Sequence, residues 1–213
     1  MGPFSSEKYI GTLRSLANRR IATVAFLGFS SGLPLALTGG TLQAWMTIEG
    51  VDLKTIGIFS LVGLPYALKF FWAPLLDRYA LPFLGRRRGW ILGIQIAMMI
   101  LITLLGLTSP KETPLLVALL ALLLTFTSAT QDIVIDAYRT DVLREKERGL
   151  GVAVSVMGYR IAMLTSGALA LILAGPLGWR LTYLLMAGLM IAGTMASIFG
   201  PEPEELVRPP QSL

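Results

Sequence analysis

The sequence predicts an all-α integral membrane protein with six transmembrane helices. Of its 213 residues, 54% are apolar and only 15% charged, whereas soluble domains carry roughly 25% charged residues. Mean hydropathy is +0.68. Uncharged runs of the length that crosses a hydrocarbon core ~30 Å thick, about 20 residues, recur along the chain.

Residues 1–20 precede the first span and lack a cleavable signal pattern, so the first apolar run is expected to remain as a helix. Within them, SSEKYIGTLRSLANRR (5–20) brings Tyr9, Ile10, Leu13, Leu16 and Ala17 onto one helical face. That spacing fits an amphipathic helix on the inner leaflet, or a solvated terminus. The bundle follows over 21–200, with spans at 21–45, 54–76, 89–108, 114–137, 150–174 and 179–199. The connectors IEGVD, DRYALPFLGRRRG, TSPKETP, RTDVLREKERG and GPLGW are short and carry turn chemistry. Residues 201–213, PEPEELVRPPQSL, read as a cytoplasmic linker or the start of a loop.

Thirteen of the eighteen Lys and Arg residues fall on one side of this arrangement, and three (Lys54, Lys111, Arg180) on the other. The positive-inside rule then puts both termini in the cytoplasm. The cluster GRRRGW (85–90) is flanked by apolar spans. It reads as a topology determinant rather than a nucleic-acid contact. With no Cys and no His, disulfides, thiol nucleophiles, histidine acid–base work and Cys/His zinc sites are excluded. No metal or cofactor is expected.

Two cations, Lys69 and Arg160, remain inside the spans. At 1.5 Å rise per residue, Arg160 lies ~16 Å into the fifth span, near the midplane. Asp132 lies ~27 Å along the fourth and Lys69 ~22 Å along the second, at similar depths, with Asp136 at the interface. Each buried charge costs about 2.5–3.5 kcal/mol at a helix centre. Asp132 is therefore expected to be neutralised by Lys69 or by Arg160. Asp136 is either part of the same site or a solvated helix end paired with Arg139, and Lys69 has the alternative of snorkelling inward past Trp72.

Polar residues recur at helical spacing around these charges: Thr125, Ser128, Asp132, Asp136 and Arg139 in the fourth span, and Ser31, Pro34, Thr38, Thr41 and Trp45 in the first. Ser155, Tyr159 and Arg160 form a shorter patch in the fifth. Spans 1, 2, 4 and 5 are thus expected to line a cavity, and spans 3 and 6 to face lipid or pack. Gly28, Gly32, Gly63, Gly158 and Gly167 are expected to permit close helix packing, and Pro34, Pro65 and Pro74 to mark kinks.

A six-helix unit dividing as a 3+3 repeat resembles one half of a major facilitator transporter. The stretch DRY…GRRR (77–88) resembles that superfamily's loop motif, with ALPFL intervening before the glycine. More specific strings narrow the resemblance: GFSSGLPLALTGGTLQAWM (28–46), LKTIGIFSLVGLPYALKFFWAPLLDRY (53–79), SATQDIVIDAYRTDVL (128–143) and ERGLGVAVSVMGYR (147–160). Over about residues 20–203 the chain looks like the N-terminal half of the AmpG family of muropeptide permeases. The resemblance implies an importer in the bacterial inner membrane, driven by the proton gradient. Its cargo would be N-acetylglucosaminyl-anhydromuramic acid and its peptides. It also implies that Asp77 and Arg78, with Arg86 and Arg87, latch helix ends during the transport cycle. The chain would need a C-terminal six-helix half or a second subunit.

Muropeptides carry carboxylates, and a guanidinium can bind one bidentately. Arg160 is accordingly the candidate contact for the anionic end of the cargo, with Ser31, Thr38, Thr41, Gln43 and Tyr159 for its hydroxyl and amide groups. Asp132 is the candidate proton carrier, with Lys69 and Asp136 as its modulators. Two rival classes stand beside this one. A metal-dependent intramembrane phosphotransferase would need a D-G-x-x-A-R element before Asp132, which the sequence lacks. A non-transporting component or fragment remains, because one half supplies only one wall of a cavity.

Overall fold

The computed structural model describes residues 18–78 and 87–202, all of its regular structure helical. The amphipathic reading of the N-terminal segment, Arg86 and the linker beyond residue 202 lie outside the described residues, as does the side chain of Asp77. Five helical runs are long and apolar enough to cross a membrane: α1 (Arg19–Ile48), α2 (Leu53–Phe71), α3 (Arg88–Leu107), α4 (Pro114–Val142) and a final run, Glu145–Phe199. That last run has 55 residues, or ~80 Å of helix, far more than one crossing requires. It turns back at Gly178, whose φ of 77° and ψ of 163° are open to glycine but not to other residues. The two limbs, α5 (145–177) and α6 (179–199), complete six passes.

Contacts along the limbs give their direction. α5 runs parallel to α1: Gly28 meets Ser155, Gly32 meets Tyr159 and Ala36 meets Gly167. α6 runs antiparallel to α1, with Tyr183 donating to the Leu37 carbonyl at 2.9 Å near one end and Gly193 against Ser30 further along. α2 runs parallel to α4. The Thr125 hydroxyl donates to the Val62 carbonyl (2.7 Å), Tyr66 to Ser128 (2.9 Å) and Trp72 to Thr130 (3.1 Å). The most buried helix is α1, enclosed by α3, α4, α5 and α6, and the least buried is α2.

Lipid is as apolar as leucine, so helix association here depends on close fit rather than on water exclusion. Gly28, Gly32 and Gly158 supply that fit between α1 and α5. A methyl group on any of them would run into backbone of the facing helix. Gly167 makes ordinary contact with Ala36, and Gly63 has open space around it. The packing expectation therefore holds for the first three and fails for Gly63, which lies instead in a 3-10 turn of α2, Ser60–Gly63.

Helix ends extend past the apolar runs where side chains satisfy them. α4 continues to Val142 rather than stopping near residue 137. α5 begins at Glu145, not 150, because the Glu147 carboxylate accepts the Arg144 N–H at 3.1 Å. The same carboxylate accepts a hydrogen bond from Asn18 and lies 3.7 Å from Arg20, joining the starts of α1 and α5. At that end of the bundle Arg88 and Arg19 cap the last carbonyls of α6: Arg88 donates to Ser197 (2.8 Å) and Ile198, Arg19 to Phe199. Of the expected kinks, Pro34 sits within a continuous helical stretch, Arg19–Thr38, and the break in α1 comes afterwards at Gly39. Pro65 is the second residue of the helical turn Leu64–Leu68 that follows the first 3-10 turn of α2, and Pro74 is the second residue of a short helix, Ala73–Arg78, beyond the second such turn.

Candidate functional site

Towards the end of the bundle that holds Asn18 and Glu202, α1, α4 and α5 together line an open recess of about 280 Å³. Gly28 and Ser31 of α1 line one side, Asp132, Asp136 and Arg139 of α4 another, and Ser155, Tyr159 and Arg160 of α5 the third. Asp132 is the innermost charge. Its carboxylate accepts a hydrogen bond from the Ser31 hydroxyl, and Lys69 of α2 approaches its other oxygen at 3.8 Å. The Asp132 side chain is 14% exposed and that of Lys69 38%, so one partner is enclosed by protein while the other remains in contact with the surroundings. A second 3-10 turn, Lys69–Phe71, carries the lysine.

Of the two neutralising partners open to Asp132, the structure takes Lys69. Arg160 forms no ion pair among the described residues and lies exposed on the recess wall. Lys69 comes from α2, which lies directly along α4, whereas Arg160 is carried by α5, another wall of the same recess.

Asp136 pairs with Arg139 one turn on at 2.9 Å, and its side chain is 57% exposed. Arg139 also donates to the Ser155 hydroxyl on α5 at 3.3 Å. Asp136 thus takes the helix-end pairing open to it and lines the recess as well.

The structure gathers Ser31, Tyr159, Arg160, Asp132 and Asp136 at the recess, with Lys69 behind Asp132. It places the other three cargo candidates elsewhere. The Thr38 hydroxyl donates to the Pro34 carbonyl of its own helix at 3.0 Å. That of Thr41 donates to the Ser166 carbonyl at 2.7 Å, where α5 widens into a π-turn, Thr165–Leu169. Gln43 is half-buried and away from the recess. The polar stripe of α1 therefore winds past several neighbours rather than facing one cavity, and Trp45 at its end stacks on Trp179 of α6 at 5.6 Å. The stripe of α4 divides likewise, with Thr125 and Ser128 bonded to α2 and only Asp132, Asp136 and Arg139 reaching the recess. α3 and α6 pack as expected, around a buried knot in which Gln95 donates to Ser30 (3.1 Å) and accepts from Ser197 (3.1 Å).

Among the latch candidates, Arg87 pairs with Asp141 at 3.3 Å, joining the start of α3 to the end of α4, and Arg78 is exposed. Tyr66 escaped the sequence reading. It lies one turn before Lys69, the spacing that puts both on the face of α2 meeting α4. Among the described residues no cluster of three Asp or Glu side chains is placed to hold a metal ion.

Comparison with known proteins agrees with this architecture. The sequence pattern of the Major Facilitator Superfamily matches residues 24–212. The chain is 54% identical over 202 residues to the anhydromuropeptide permease of Escherichia coli K12, a match covering 94% of this chain and 41% of that protein. It is 46% identical over 181 residues to an uncharacterized protein of Haemophilus influenzae, with 85% and 43% covered. A Rickettsia conorii protein named as an AmpG transporter is 36% identical over 194 residues, with 89% and 47% covered. The chain thus spans less than half the length of the curated relatives it matches. Six apolar passes closing on a polar recess, and a sequence match running almost from end to end, make this multi-pass membrane protein a member of the Major Facilitator Superfamily.

Proposed function

We propose that the chain forms one wall of a secondary transporter that carries anhydromuropeptides into the bacterial cytoplasm, driven by the proton gradient. The observation that carries this reading is the recess itself. It combines a guanidinium with no ion pair among the described residues, Arg160, with an acid, Asp132, whose only ion-pair partner among them is a half-exposed lysine. An anionic solute finds a counter-charge at Arg160. Asp132 has a partner that a small shift of α2 would remove, which is the requirement for an acid that loads and releases a proton. The cargo class is taken from the E. coli relative, which is named an anhydromuropeptide permease. No chemical step on the cargo is assigned to these residues.

One wall does not enclose a solute. A second six-helix body, whether further sequence, a separate chain or another copy, completes the path, and the excess of described Lys and Arg at the end holding Asn18 and Glu202 orients that end to the cytoplasm. The deciding experiment is uptake of labelled anhydromuropeptide in permease-null cells expressing this chain alone or with a C-terminal half. Uptake in either arm supports the reading. Absence from both, with the protein confirmed in the membrane, removes it. In the active arm Arg160→Ala abolishes uptake and Arg160→Lys weakens it. Asp132→Asn permits only downhill movement, without pH dependence; accumulation with intact pH dependence would clear Asp132 of the coupling role.

A further inference from the structure

The recess holds a second guanidinium besides Arg160, and that one is already occupied. Arg139 is fixed by two contacts, Asp136 at 2.9 Å from its own helix and the Ser155 hydroxyl at 3.3 Å from α5. All three residues line the recess with Arg160. The two partners differ in kind. Ser155 is 4% exposed, sealed at the α1–α5 contact beside Gly28, and acts as a fixed anchor. The Asp136 side chain is 57% exposed, and its carboxylate can leave Arg139 for solvent by simple rotation.

We infer that Asp136 is a built-in stand-in for a cargo carboxylate. It covers Arg139 while the recess is empty and is displaced when a solute brings a second carboxylate. With Asp136 in place, the recess offers one open cation, Arg160. With Asp136 swung out, it offers two, held by α4 and α5 on neighbouring walls. Asp132 does not compete, because Ser31 and Lys69 already occupy its oxygens. Asp136 therefore sets a charge preference. Solutes with a single carboxylate bind at Arg160 alone, while those with two must first exchange with Asp136 and bind less tightly than two free arginines would allow. The opposite role for an acid so placed is to orient Arg139 for the cargo, and the two roles differ in the sign of the effect when the acid is neutralised.

This rests on the transport reading, and the test separates the two. In whichever arm supports uptake, the KM and maximal rate of wild type, Asp136→Asn and Asp136→Ala are compared for two probes: the peptide-free anhydro-disaccharide, with one carboxylate, and its acidic peptide derivative, with more than one. Both variants are expected to lower KM for the peptide derivative by about two- to fivefold, the strength typical of an exposed ion pair. The ratio of KM for the disaccharide to KM for the peptide derivative therefore rises by that factor over any change common to both probes, and Arg139→Gln lowers the ratio. Unchanged KM for both probes would make Asp136–Arg139 a surface pair without a role in recognition. A raised KM in Asp136→Asn would make Asp136 an orienting group. Either result overturns the inference while leaving uptake by the wild type, and hence the transport reading, intact.

Discussion

Replacing Gly32 with alanine puts a methyl group where α1 and α5 leave no room for it. The added carbon would sit 3.0 Å from both the carbonyl carbon and the Cα of Tyr159, and closer still to its carbonyl oxygen. Carbon contacts are most favourable at ~3.5–4.0 Å, so the helices must part by roughly 0.5–1 Å. These are backbone atoms that no rotamer change can move aside. Overpacking of this kind costs about 1–3 kcal/mol, set against about 1 kcal/mol gained when alanine replaces glycine inside a helix. Gly93, on the exposed face of α3, has nothing within 4 Å of its own added methyl. Gly93→Ala therefore keeps the propensity gain without the clash, and the difference between the two variants isolates the clash. At ~2–4 °C per kcal/mol for a chain of this size, Gly32→Ala should melt ~2–12 °C below Gly93→Ala. The assay is thermal unfolding in one detergent, followed by tryptophan fluorescence. Equal shifts in the two variants would mean that α1 and α5 are not in backbone contact at Gly32, and the parallel packing of these two helices would fail with it.

The Lys69–Asp132 pair should appear as a coupling in the same assay. Lys69→Met leaves a mostly buried carboxylate with only Ser31 and should destabilise by about 1–3 kcal/mol, below the usual figure for a fully buried pair because Lys69 is partly exposed. Adding Asp132→Asn should recover about 1 kcal/mol of that loss, whereas additive losses would show the two groups to be uncoupled. At the opposite end of the bundle, Asp52 caps α2 by accepting the Thr55 hydroxyl at 2.6 Å and the Thr55 N–H at 2.9 Å, contacts that hold its carboxyl below the ordinary value of 3.8. A carboxyl lowered in the folded state stabilises the cap above the unfolded value, and that contribution disappears as pH falls through the lower folded value. The hydrogen-exchange protection factor of the Thr55 amide should accordingly hold steady above about pH 4 and fall below it, and the fall should be missing in Asp52→Ala. Persistence of the fall in that variant would assign it to another group.

Much of this architecture is legible in the residue order because the membrane restricts what a chain can do. A backbone in hydrocarbon must satisfy its own hydrogen bonds, so apolar runs become helices and their length reports a crossing. The predicted spans differ from the observed helices chiefly at ends where charged side chains carry the helix onward, as at Asp141 in α4 and Glu145 in α5. Depth was equally accessible. Counting residues put Lys69 and Asp132 at one level, and the structure pairs them at 3.8 Å.

Azimuth was not accessible. Arg160 lines the same recess as Asp132 yet forms no ion pair among the described residues, and nothing in the order of residues states how α5 is rotated against α4. Thr38 and Thr41 carry the same spacing as Ser31, but one bonds back to its own helix and the other donates to the Ser166 carbonyl within a π-turn of α5. Gly32 and Gly93 are indistinguishable as letters, and only the presence or absence of a facing backbone tells a tight contact from open space. The sequence by itself determined which segments cross the membrane and which charges lie within it, because hydropathy and rise per residue are local quantities. Which of those charges meet, and which one is left without an ion pair among the described residues, was decided by the tertiary structure. A side chain's partners depend on the relative rotation of two helices, and that rotation is set by every contact between them at once.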